Sequence, residues 1–379
     1  MQYYGKMFPS PKFFPAARLN FAGSVLSQRN STATALIEAH EGSLETNNIT
    51  WGTLYSSVKR RADALKSLGV GEGDRVAAVM ANTEHSISLC LATLSFGGIW
   101  SSISPDFGTK GILDRLLQIR PKVVFADSST IYNGKQHDLL PVVRDWAKIL
   151  AKDDSLIKII FTPSDIPLEV SSIPKATDHC TFLSLGIGRP LEFLQLPFNQ
   201  PGFIFYSSGT TGPPKCILHS AGGVLLQVRK DYELHIGLLP SDILFQYTTT
   251  AWIMWAFIIS ALGTGSTIVL YTGSPVYPNL NFLPSLISKL KVTVFGTSAK
   301  YLTDLKDSGT KVRCDVDLTS LRKVSSTGSV LPMDVAVWFY EHGFPKHVQL
   351  ISGSGGTDCS CACELNSTLT IHGRTNFRL

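Results

Sequence analysis

A chain of 379 residues, 44% of them hydrophobic, can bury a large core, and its length calls for two or more packed subdomains. The net charge of +5 comes without dense Lys/Arg blocks carrying interleaved aromatics, which argues against nucleic acid and for an anionic small molecule as partner. Seven cysteines (Cys90, Cys180, Cys216, Cys314, Cys359, Cys361, Cys363), odd in number and without CxxC pairs, read as reduced thiols of a cytosolic protein. The alternation Cys359-x-Cys361-x-Cys363 suits a strand better than chelation of one ion. The opening "MQYYGKMFPSPKFFPAARLNF" has no continuous apolar run of a targeting segment. The most apolar stretch, "AWIMWAFIISALGTGSTIVLY", is broken at Gly263-Thr264-Gly265-Ser266 and is too short for a membrane span.

In chain order, "ADALKSLGVGEGDRVAAVMAN" predicts a helix end, a glycine turn and a buried strand from Val76 to Met80. A helix capped by Thr83 follows, ending at Gly97-Gly98, then an apolar strand. The pattern repeats as a helix, Pro121, and a strand from Val123 to Ala126. Residues 151–200 are richer in Pro, Ser and Asp and read as surface connection. From 201 the alternation resumes: strand, hydroxyl-rich loop, helix 220–235, strand 243–248, helix 252–262, strand 267–271, helix 282–290 and strand 292–296. Helix–strand alternation with short turns predicts an α/β fold with largely parallel sheets. No internal repeat or long low-complexity tract interrupts it.

The loop in "FIFYSSGTTGPPKCILHSAGG" (203–223) carries the chemistry. It is not a Walker A motif, because Lys215 follows proline and Cys216 offers no hydroxyl for a metal. The ingredients are still those of a phosphate grip. Gly209 and Gly212 allow successive N–H groups to turn toward one anion. The hydroxyls of Ser207, Ser208, Thr210 and Thr211 add donors, and Lys215 adds a point charge. Pro213 and Pro214 stiffen the second arm. His219 lies just before Ser220, a candidate helix N-cap, and reads as orienting the loop or packing rather than as catalytic.

"YSSGTTGPPK" resembles the signature loop of the adenylate-forming (AMP-binding) acyl-CoA synthetases. "GGIWSSISPDFGTKGILDRLLQIRPKVVFAD", "KCILHSAGG", "VLYTGSP" and "SGGTD" extend the resemblance across most of the chain and are most similar to the acetoacetate-activating branch. The resemblance implies an adenylate-forming N-terminal domain of two α/β subdomains plus a smaller barrel-like part. It also implies a partial leading segment over 1–25, an incomplete AMP-binding domain over 26–379, and a mobile C-terminal domain beyond Leu379. That domain and its approach would hold the ribose-binding aspartate, the hinge and a lysine that assists adenylation.

The resemblance also implies roles. Residues Ser207 to Lys215 embrace the outer phosphates of ATP. Gly356 and Thr357 meet the α-phosphate, with Lys215 and Thr357 as the catalytic pair. Asp358 helps hold Mg²⁺, as suits a hard cation. Gly328 and Ser329 present backbone beside adenine, although Val330 stands where the family usually has proline, with Pro332 two residues on. Trp252 walls the acyl pocket, Trp255 is core, and "FGTSAKYL" (295–302) is a further pocket segment. Acetate-specific relatives carry tryptophan where this chain has Gly355, so a longer acid is expected here. The implied reaction joins acetoacetate to coenzyme A through an acyl-adenylate. No Ser/His/Asp triad or GxSxG elbow offers a side-chain nucleophile. Two other readings stay open on these residues: another short-chain acyl-CoA synthetase, and a nucleotide-binding fragment without catalysis.

Overall fold

In a computed structural model, residues 13–163, 169–207 and 212–365 are described, the last five by backbone alone. Two twisted sheets dominate. The first has seven strands in the order Ala176–Thr177, Lys158–Phe161, Val123–Ala126, Arg75–Val79, Ile99–Ile103, Pro201–Ser207 and Lys215–Ser220. All its pairs are parallel except the last. The second has eight, in the order Cys361–Leu365, Gln349–Gly356, Lys323–Thr327, Val294–Ser298, Ile243–Gln246, Thr267–Thr272, Thr34–His40 and Ser43–Thr50. Its six inner strands run parallel and both edge strands run antiparallel to them.

The strands are continuous apolar runs because both faces are covered. In Arg75–Val79, Val76 and Ala78 pack toward the second sheet, while Ala77 and Val79 pack away from it. The helices Phe21–Leu26, Trp51–Ser67, Glu84–Ser95, Ala221–Lys230 and Ile253–Ala261 fill the space between the sheets. Thr109–Ile119 and Leu140–Leu150 cover the outer face of the first sheet. Phe282–Leu290, Ala299–Asp307 and Met333–Trp338 cover the outer face of the second. The layers therefore run helix, sheet, helix, sheet, helix: the α/β fold with largely parallel sheets expected from the alternation, in the two subdomains that the resemblance implies. Among the described residues, no sheet closes into a barrel, and no helix is long and apolar enough to cross a membrane.

Local chemistry explains the element ends. Thr83 precedes Glu84–Ser95, and its N–H donates to Ser86 Oγ at 3.2 Å, a reciprocal cap. Ser220 Oγ accepts from Gly223 N at 3.2 Å and starts Ala221–Lys230. That helix widens into a π-helical turn, Asp231–Ile236, stopped by Gly237 at φ 65°.

The expectation for 151–200 needs correction. Lys158–Phe161 lies inside the first sheet with Ile159, Ile160 and Phe161 fully buried. A four-residue strand between polar turns has no period to read. The cysteine expectation also changes: Cys361 and Cys363 fall in the strand Cys361–Leu365, but Cys359 sits in the turn before it and donates to Gly356 O at 3.3 Å.

Candidate functional site

A cavity of about 670 Å³ opens between the sheets, at the carboxyl ends of their parallel strands. This is where open α/β sheets bind ligands, because loops diverge there and leave a crevice. Tyr206 and Ser207 reach it from the first sheet. Gln246, the segment Ser325–Gly328 and Gly353, Gly355, Gly356 and Thr357 reach it from the second. The segment Ala251–Met254 and Phe257 close one side.

Cross-sheet hydrogen bonds hold that side in place. Ser102 Oγ donates to Thr250 O at 2.7 Å, and Thr250 Oγ1 donates to Met80 O at 2.8 Å. Trp255 stacks on Trp100 at 6.1 Å, and its indole N–H donates to Asn82 Oδ1 at 3.0 Å, so it is core, as expected. Trp252, three residues earlier, is 55% exposed and lines the cavity. A Cβ at Gly328 would lie 3.8 Å from the Trp252 ring, which places the turn after Lys323–Thr327 beside the indole. Gly328 has φ 91°, so glycine suits the sharp bend after Lys323–Thr327. Ser329 and Val330 continue outward and are exposed.

Ser207 and Lys215 face each other in antiparallel register at the two arms of the hydroxyl loop. Lys215 is exposed and does not line the cavity. Pro214 O accepts from Gln118 Nε2 at 3.0 Å, which ties the second arm to the helix Thr109–Ile119. Ser208, Gly209, Thr210 and Thr211 lie outside the described residues. A Cβ at Gly212 would meet nothing within 4 Å, so crowding does not demand glycine there.

Thr357 and Asp358 open the turn after Gln349–Gly356. Thr357 lines the cavity, and Asp358 is exposed beside it. His219 lies beneath this turn in contact with Phe205, their ring centroids 6.2 Å apart. Burial lowers its pKa, while a hydrogen bond to the Thr357 backbone and the Asp358 charge oppose that shift. The histidine therefore packs on Phe205 and bonds the turn at Thr357, rather than orienting the hydroxyl loop.

Several lining residues escaped the sequence reading. The Arg115 guanidinium lies 4.3 Å over Phe107 and 5.5 Å over Tyr206, and the Tyr206 hydroxyl donates to Arg115 O at 3.0 Å. Burial lowers the Arg115 pKa, yet a guanidinium remains charged, so it gives the cavity wall a positive group. Gln246 is a polar residue ending an apolar strand, which was the one visible signal. Asp231 and Tyr232 lay hidden inside what reads as an ordinary helix. The site residues that meet at the cavity are Ser207, Trp252, Gly328, Gly355, Gly356 and Thr357; Lys215, Ser329 and Asp358 stand outside its lining.

Comparison with known proteins agrees with this geometry. The acetoacetyl-CoA synthetase of Gallus gallus is 41% identical over 366 residues, covering 96% of this chain and 55% of that protein. The malonamoyl-CoA synthetase of Penicillium aethiopicum is 37% identical over 377 residues, covering 93% and 52%. The solved acetoacetyl-CoA synthetase of Streptomyces lividans superposes with a TM-score of 0.84 at 34% identity, covering 94% of this chain and 55% of that one. The chain therefore spans about half the length of the relatives it matches. The family described as AMP-binding enzyme matches residues 25–377, and with a cavity of the right make at the strand ends, the chain belongs to that family.

Proposed function

We propose that this chain binds ATP and a short 3-oxo acid as part of an acetoacetate–CoA ligase. The observation that carries the reading is one cavity lined both by Ser207, Gly328 and the Gly355–Thr357 segment and by apolar Ile236, Leu244, Met254 and Phe257. A lining of both kinds suits a nucleotide and a small acid. The two acyl groups named for the relatives, acetoacetyl and malonamoyl, share a carbonyl at the third carbon. Gly355 in the lining leaves room beyond an acetyl group.

In the proposed chemistry, a carboxylate oxygen attacks the α-phosphorus of ATP, and pyrophosphate leaves. The thiol of coenzyme A then attacks the acyl carbon of the adenylate and AMP leaves. Both partners in the first step are anionic, so the site must neutralise charge around the phosphorus. Thr357 would donate at the α-phosphate, and Lys215 with the loop 207–212 would hold the outer phosphates. Ser329 would join Gly328 beside adenine. Asp358, an exposed carboxylate next to the lining residue Thr357, suits Mg²⁺ shared with substrate phosphates, which would supply further charge neutralisation. The free thiols of Cys90, Cys180, Cys216, Cys314 and Cys359 support a cytosolic setting. The product suits ketone-body use and lipid synthesis.

The test is nucleotide binding by calorimetry to residues 1–379. The chain is expected to bind Mg-ATP, and Lys215→Ala to weaken ATP by about tenfold while leaving AMP within about twofold, as loss of one charge-assisted contact implies. Equal loss for both nucleotides would put Lys215 away from the outer phosphates, and no nucleotide binding by the parent chain would end the reading.

A further inference from the structure

One cation in the cavity lining has no counter-charge, and its surroundings hold it in place. Arg115, on the helix Thr109–Ile119, lines the cavity together with Phe107, Tyr206 and Ser207. Its guanidinium lies 4.3 Å over the Phe107 ring and 5.5 Å over the Tyr206 ring. Its Nη1 donates to Gly111 O at 2.7 Å, one turn back on the same helix. Two rings and a carbonyl thus fix the planar group before any ligand arrives, which reduces the ordering that binding must impose.

No carboxylate neutralises this charge. Asp114, the adjacent acid, pairs with Lys110 at 2.7 Å, and Arg115 forms no ion pair among the described residues. Its Nε and Nη2 have no hydrogen-bond partner among them either. A half-buried cation with two idle donors on one edge matches an oxyanion that offers two acceptors.

The helix that carries Arg115 is tied to both arms of the hydroxyl loop. On the first arm, Tyr206 directly precedes Ser207, and its hydroxyl donates to Arg115 O at 3.0 Å. On the second, Pro214 O accepts from Gln118 Nε2 at 3.0 Å, three residues beyond Arg115. The cation therefore stands at the foot of the loop rather than at the apolar lining formed by Ile236, Leu244 and Phe257.

We propose that Arg115 is a phosphate-binding residue, whose Nε and Nη2 donate to the oxygens of a diphosphate group at the foot of the hydroxyl loop. This rests on the reading that the cavity takes a nucleotide. The proposed reaction brings a diphosphate from two sources, the outer phosphates of ATP and the bridging diphosphate of coenzyme A. The ties to both loop arms favour the first.

The probes are Mg-ATP, AMP, magnesium pyrophosphate and coenzyme A, each titrated into residues 1–379 and into Arg115→Gln and Arg115→Met; the methionine keeps an apolar stem on both rings. Both variants are expected to bind ATP and pyrophosphate about tenfold more weakly than the parent chain, with AMP within about twofold. The loss is expected to shrink as salt is raised from about 0.1 M to about 1 M, because a half-exposed charge is screened and a packing defect is not. A loss confined to coenzyme A would also uphold the proposal and assign the diphosphate to that source. Variants that bind all four probes as the parent does, that lose AMP as much as ATP, or whose loss is indifferent to salt overturn the proposal and leave the nucleotide reading standing. A parent chain that binds none of the four overturns both.

Discussion

His179 shows how much a single buried ring can decide. It is 8% exposed, lies against His85 with the rings tilted and centroids 5.7 Å apart, and its Nδ1 has no partner among the described residues. Burial first, then the Arg61 and His85 charges, holds its pKa down at about 4. An unfolded histidine titrates near 6.5, so between these values the unfolded chain binds more protons and stability falls as pH falls. Glu84 has a pKa of about 2, so its stabilising contribution is lost only below the ordinary carboxylate range. Comparing the denaturant midpoints of the parent chain and His179→Phe from pH 7 to pH 5 therefore isolates this histidine from His219, whose pKa burial also lowers. The parent chain is expected to lose about 2 kcal/mol more than His179→Phe over that range; parallel profiles would show that the ring ionises freely in the fold. The hydroxyl loop stood out in the sequence because glycine, hydroxyl and lysine types have few joint uses. Arg115 did not, since arginine in helices is common and only the tertiary fold gives its side chain a cavity to face.

Among the elements, the hairpin Ser129–Tyr132 and Lys135–Asp138 has a role its polar sequence conceals. Its tip residues Asn133 and Gly134 have φ 54° and 76°, the left-handed pair of a tight type I′ connection. Both tip N–H groups donate to Glu41, at 2.8 and 2.5 Å, and Ser274 N donates to the same carboxylate at 2.6 Å. Glu41 is buried at the turn joining Thr34–His40 to Ser43–Thr50, so one carboxylate pins this hairpin to an edge of the second sheet. Glu41→Ala strands the buried Ser274 N–H and leaves the two tip N–H groups to water, and is expected to cost about 2 kcal/mol of unfolding free energy, whereas Glu41→Gln keeps an acceptor and should cost less. A loss below about 0.5 kcal/mol for the alanine variant would show that the contact is idle. Strands with buried flanks and capped helices could be read from sequence because period and cap residues agree. The strand Lys158–Phe161 could not, because four residues carry no period, and the hairpin docking could not, because backbone donors leave no mark in side-chain pattern.

At the scale of the whole molecule, the alternation of elements predicted an α/β fold with largely parallel sheets and the resemblance implied two subdomains, while the helical layer that the two sheets share is visible only in the structure. The chain spans about half the length of the relatives it matches, so any group that the rest of such a protein supplies is absent from an assay of residues 1–379 alone. Loss of one charge-stabilising donor costs ~10²–10³ in rate. Residues 1–379 are therefore expected to form acetoacetyl-CoA at least ~10²-fold more slowly than the Gallus gallus relative under equal conditions, followed as thioester appearance with acetoacetate, ATP and coenzyme A. A matching rate would mean that the residues present suffice. The topology has a further consequence for synthesis in the cell. The strand Thr34–His40 pairs with Thr267–Thr272, and the bond from Thr267 Oγ1 to Thr34 O spans 233 residues of sequence. At ribosomal speeds of about 5–20 residues per second, the early hairpin waits about 10–50 seconds with its pairing edge unsatisfied. The nascent chain therefore passes through a window in which protection by a holding chaperone, more than the final energy of the fold, governs its yield.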